Sequence, residues 1–139
     1  FGRTAVRTGS SNNPWAGHET GDGWVVMGNA VVDEGVVAAM ATAMRDHWAE
    51  DIETRLMQSI SAGTDAGGQA DGQRAAAVVV HENEGYPIVN LRVDDHDEPM
   101  QELWRLFYKM LPLVPYYRQR PDDPTLGRVV DWKKKHEID

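Results

Sequence analysis

Leu91-Arg92-Val93-Asp94-Asp95-His96-Asp97-Glu98-Pro99 joins a strand-like segment to a long amphipathic pattern. Aspartates, a glutamate and a histidine crowd the junction. Ionisable groups packed there can build an active site, a metal site or a helix cap, and the choice decides what the chain can be. Downstream, Met100, Leu103, Trp104, Phe107 and Leu111 recur at helical spacing. Asp97 is expected to cap that helix, with Pro99 in its first turn, where the missing N–H costs little. Carboxylates at a helix N-terminus gain about 0.3–1 kcal/mol each from the macrodipole, which accounts for Asp97 and Glu98. Asp94 and Asp95 are neighbours on a strand end and point to opposite faces. One can face a cleft while the other caps or pairs, with Arg92 as the nearest cation. A sequence-local triplet rarely surrounds one metal ion. Metal-dependent hydrolysis through Asp94, Asp95 and His96 is therefore the weakest reading, and Asp94 and His96 are kept as candidate pocket residues.

Upstream of this junction, Tyr86–Val93 reads as a strand, paired through a turn at Glu82-Asn83-Glu84-Gly85 with Arg74–His81. The run Ala75-Ala76-Ala77-Val78-Val79-Val80 suggests a strand buried on both faces. Gly63–Gln73 is rich in Gly, Asp and Gln and is expected to be a mobile loop. It lacks the Gly-Lys-Ser/Thr ending that cradles phosphate. Before it, Ile52, Leu56 and Ile60 mark one stripe of a helix over Asp51–Ala62. Val36, Val37, Met40, Met44 and Trp48 mark another, capped by Asp33. Thr4–Thr8 alternates as a strand does, and a turn cluster at Gly9–Pro14 separates it from Trp15-Ala16-Gly17-His18 and a strand over Gly23–Gly28. The order β-β-α-α-β-β-α predicts antiparallel strands with layered helices, an α+β fold rather than a doubly wound sheet. Past Pro112 the tail reads as irregular, and Trp132-Lys133-Lys134-Lys135-His136 as a solvated end.

The 139 residues suit one domain with a real core. A net charge of −8 makes nucleic acid a poor partner. Cysteine is absent, which excludes thiolate ligands and a Cys nucleophile on this chain and fits a reducing, cytoplasmic setting. The apolar runs are too short to span a bilayer, and no signal peptide is visible.

Three further side chains are candidates. His18 follows a small residue and either lines a pocket or ties down a loop. Asn29 ends a strand, where it serves a turn or offers its amide to an oxyanion. Arg74 stands at the mouth of a strand and could anchor an anionic group. No serine nucleophile elbow and no His-Glu-x-x-His zinc helix is present.

Trp15-Ala16-Gly17-His18, Gly21-x-Gly23 and Gly28-Asn29 together resemble a block of the DUF1028 family. Val36-Val37-x-Ala39-Met40 follows, then Gly67-Gly68-Gln69-Ala70-Asp71-Gly72-Gln73-Arg74-Ala75-Ala76-Ala77. The most specific match is Leu91-Arg92-Val93-Asp94-Asp95-His96-x-x-Pro99 with x-x-Glu102-Leu103 after it. The blocks keep the family's order over roughly residues 2–107.

That family is grouped with the N-terminal-nucleophile hydrolases. The resemblance implies part of a four-layer αββα sandwich with antiparallel sheets over residues 1–111; residues 112–139 run beyond the family's usual domain, as a C-terminal extension expected to pack on the surface or at an interface. It implies an amide (C–N bond) hydrolase in which the first residue of a mature chain, exposed by autoproteolysis, attacks the substrate and its own α-amino group acts as base. Phe1 cannot fill that role. The nucleophile is therefore expected on an N-terminal segment or companion chain, with Asn29 at the oxyanion and His18, Arg74, Asp94 and His96 on the substrate. No cofactor or metal is implied. The expected partners are a small-molecule amide and further copies of the chain, with no nucleic acid and no membrane. The alternative is a non-catalytic binding or scaffold protein with the same fold.

Overall fold

The computed structural model describes residues 3–138. Phe1, on which the expectation about the nucleophile falls, lies outside the described residues, as do Gly2 and Asp139. The chain divides into two units, Phe1–Arg74 and Ala75–Asp139.

The first unit is a β-hairpin covered by two helices. Strands β1 (Ala16–Gly21) and β2 (Trp24–Asn29) pair antiparallel through the turn Asp22-Gly23, with Gly17 opposite Gly28 and Gly21 opposite Trp24. Alternation along the strands then sorts the side chains. One face carries Gly17, Glu19, Gly21, Trp24, Val26 and Gly28, and the other carries His18, Met27 and Asn29. The glycines on the first face make room for indole rings. A methyl on Gly17 would sit 2.1 Å from Trp15, and one on Gly21 would sit 2.1 Å from Trp24. The core forms on that face from Trp24, Val26, Val37, Ala41 and Met44, with Trp15 and Met40 packed against it.

Helix α1 (Glu34–Asp46) lies on this face of the hairpin, and α2 (Ile52–Asp65) packs on α1. Asp33 caps α1 by accepting from the Gly35 amide, as its sequence position suggests. The helix ends at Asp46, so Trp48 falls beyond it and is 74% exposed rather than part of the apolar stripe. The buried stripe of α2 is also one residue away from the expected Ile52, Leu56 and Ile60. It consists of Glu53, Met57, Ser59 and Gly63, while Ile52 is exposed. The cause is close approach of the helices. Gly63 leaves no room beside Met40 for a methyl, and the Ser59 hydroxyl donates to the Met40 carbonyl at 3.0 Å. Arg55 donates from Nε and Nη2 to the Met44 carbonyl at 2.8 and 2.6 Å, which satisfies the C-terminal end of α1 with a cation on its negative pole.

The expected strand over Thr4–Thr8 is absent; Arg3–Gly9 is irregular, and the hairpin's first strand begins at Ala16. The Gly-rich connection is also not a free loop. Its Gly68 carbonyl accepts from Val32, its Ala70 amide donates to Ala30, and Gln69 bridges to Val31.

In the second unit, β3 (Ala76–His81) and β4 (Pro87–Val93) form an antiparallel hairpin. β3 is buried on one face only: Ala76, Val78 and Val80 point inward, whereas Val79 is 48% exposed. A continuous apolar run thus hides a half-buried strand. Helix α3 (Pro99–Met110) covers the hairpin with Met100, Leu103 and Phe107. The tail past Pro112 is helical rather than irregular. A 3-10 turn at Leu111–Leu113 leads into α4 (Val114–Gln119), which packs on β4, and α5 (Val129–Lys135) follows. The tail is fastened by the Tyr116 hydroxyl on the Gly127 carbonyl at 2.9 Å and by Trp132, half-buried between Tyr116 and His136.

Two substitutions test this account of the first unit. Gly17→Ala must push the Trp15 ring off the hairpin, and should lower stability by about 1–3 kcal/mol in urea denaturation. Arg55→Ala removes both donors from the Met44 carbonyl. A loss of about 1–3 kcal/mol is expected, with Arg55→Lys recovering part of it; an unchanged midpoint would show that water replaces the guanidinium without cost.

Candidate functional site

The outer face of the first hairpin carries the chemistry. His18 stands directly opposite Met27, and Asn29 lies two residues further along β2 on the same face. Both line an open cleft of about 350 Å³, within the range of small-molecule sites. Val6, Arg7, Thr8 and Asn12 form the rest of its polar and apolar wall, with the backbone at Gly17 and Gly28. The turn cluster at Gly9–Pro14 folds the chain back so that the Thr8 Oγ1 lies 2.6 Å from His18 Nδ1. This contact fixes the imidazole over the cleft and leaves Nε2 for another partner.

The structure therefore brings His18 and Asn29 together. Arg74 is exposed at the end of the first unit and does not line this cleft. Arg7, Thr8 and Asn12 occupy the positions that sequence reasoning passed over. Alternation at Thr4–Thr8 suggested a strand and drew attention from its side chains. The available signal was the turn cluster, which must return Thr8 toward the Trp15–His18 stretch.

Asp94 and His96 belong to the second unit and make local contacts. Asp94 accepts from Arg92 Nε and Nη2 at 3.2 and 2.6 Å, both groups being well exposed. That hydrogen bond, and then the adjacent charge, raises the Arg92 pKa further above its ordinary value. His96 Nδ1 accepts from the Glu98 amide at 2.9 Å. The imidazole thus satisfies the backbone at the start of α3, whose N-cap position is Glu98 rather than the expected Asp97. Among the described residues, no group of three His, Cys, Asp or Glu side chains is placed to hold a metal ion. Nor, among them, is any helix long and apolar enough to cross a membrane.

A family model described as "Family of unknown function (DUF1028)" matches residues 1–103. The matched span contains the whole first unit, the cleft and the Leu91–Pro99 junction. Among solved structures, the crystal structure of protein SPO2555 from Silicibacter pomeroyi, itself a DUF1028 protein, is similar at 33% identity with a TM-score of 0.65. The match covers 78% of this chain and 47% of that one, so the chain spans about half the length of this relative. No curated protein matches. The motif order, the matched span and the structural likeness agree, and the chain is a member of the DUF1028 family.

Proposed function

We propose that this chain is part of an amide hydrolase of the N-terminal-nucleophile type, and that the cleft on the first hairpin forms one side of its substrate pocket. In this reading the two units contribute to a four-layer αββα sandwich completed by an N-terminal segment or companion chain, which carries the nucleophile. The observation that carries it is the convergence of His18 and Asn29 on one open cleft. An amide side chain on a strand end is a donor that can stabilise charge developing on a carbonyl oxygen. His18, held by Thr8, would orient the substrate or the nucleophile's amine through Nε2. That the chain covers 47% of the solved relative leaves room for the remaining layers and the nucleophile.

A second reading, a small-molecule binder without turnover, draws support from the cleft's lining: among the described residues it holds no carboxylate or thiol, and its one hydroxyl is that of Thr8.

Assays of the complete protein on a panel of small amides separate these readings. Turnover that falls about 10²–10³-fold in Asn29→Ala supports the hydrolase. Saturable binding with no turnover supports the binder instead, and the absence of both sinks the assignment of this cleft. Thr8→Val sharpens the roles within it. A loss of about tenfold fits a residue that positions His18; a fall to background would place the nucleophile on Thr8 and overturn its assignment to polypeptide outside this chain.

A further inference from the structure

We propose that Arg7 makes the first-unit cleft a carboxylate-binding subsite, so that its ligand is a small amide bearing a carboxylate. The amide half of this statement rests on the proposed function; the carboxylate half does not.

The first argument is charge. The chain carries 22 acidic residues and a net charge of −8, yet the described residues lining the cleft include no Asp or Glu and include Arg7. A small anion entering this space meets a local cation inside an otherwise repulsive surface. The second argument is unused donors. Among the described residues, the side chains of Arg7, Asn12 and Asn29 make no hydrogen bond or ion pair with any other group. Several other guanidiniums are engaged: Arg45 with Glu19, Arg55 with the Met44 carbonyl, Arg92 with Asp94 and Arg105 with Glu102. Arg7, itself exposed, is thus available for a ligand in a cleft that Asn12 and Asn29 also line, each offering two N–H donors.

The third argument is shape. A guanidinium presents a planar fork that matches a carboxylate through two parallel hydrogen bonds. One Arg, with no Lys among the described residues lining the cleft, balances one negative charge, as on a carboxylate, and leaves the second charge of a phosphate uncompensated. Val6 and Met27 give the cleft an apolar part suited to a short aliphatic body. Asn29, which lines the same cleft, is then the donor for the ligand's carbonyl. This moves the anchoring role from Arg74, which the sequence suggested, to Arg7.

The test is equilibrium binding to the full chain by calorimetry and 1H–15N spectra, with N-acetylglycine, its neutral counterpart N-acetylglycinamide, and inorganic phosphate as probes. N-acetylglycine should bind about tenfold or more tightly than N-acetylglycinamide, with shifts at Arg7, His18 and Asn29. Arg7→Gln should abolish that preference, Arg7→Lys should keep part of it, and Arg74→Gln should leave it intact. Spectra of each variant establish that it is folded. Equal affinity for the two amides, no binding of either, tighter binding of phosphate, or a preference that survives Arg7→Gln would each overturn the proposal. Carboxylate binding without turnover in the complete protein would leave this subsite standing while removing the hydrolase reading.

Discussion

The contact between indole rings and glycine backbone on the first hairpin governs the rest of the first unit. Trp15 and Trp24 occupy the space above Gly17 and Gly21 that any side chain would fill. That commits one face of β1 and β2 to the core and to α1. Strand alternation then leaves the opposite face for His18, Met27 and Asn29. The cleft is therefore a by-product of how the core is built. Its two sequence-legible polar groups share a face because the tryptophans claimed the other.

The helical layer is fixed by polar contacts as much as by apolar ones. Ser59 and Arg55 both donate to carbonyls of α1, at Met40 and Met44, and Gly63 lets the helices approach. The hydrogen bonds run from side chains of α2 to backbone of α1, and Gly63 meets the side chains of Met40 and Val36. The bidentate guanidinium closes the exposed end of α1 where the chain turns toward α2. The result is a helix pair held in one register, and with it the platform under the hairpin.

Much of this was legible in the sequence, and the failures have physical causes. The succession β2-α1-α2-β3-β4-α3, the Asp33 cap and the pairing of β3 with β4 follow from periodicity and turn residues, whereas β1 lies at Ala16–Gly21 and not at the expected Thr4–Thr8. Family membership follows from motif order. Periodicity misled where apolar residues lie on both faces of a strand, so Val79 was expected inside and is half exposed. It misled again on α2, because small residues rather than bulky ones mark a close helix contact. The site was half legible. His18 and Asn29 sit in motifs that invite attention, whereas Arg7, Thr8 and Asn12 reach the cleft only through an irregular return of the chain that no local pattern encodes. Asp94 and His96 attracted attention through local density of charge, and in the structure their contacts are with Arg92 and the start of α3.

The turn between the two strands of the first hairpin holds only Asp22 and Gly23, with Gly23 at φ 74°. Together with the glycine–tryptophan contacts, it makes the parity of residue numbers along β1 a functional quantity. Deleting or inserting one residue between Trp15 and Gly21 would carry His18 into the indole layer and turn a glycine toward the cleft. Core and site would fail together, although no residue of either had been replaced. Natural variation in this stretch should accordingly consist of exchanges at constant length.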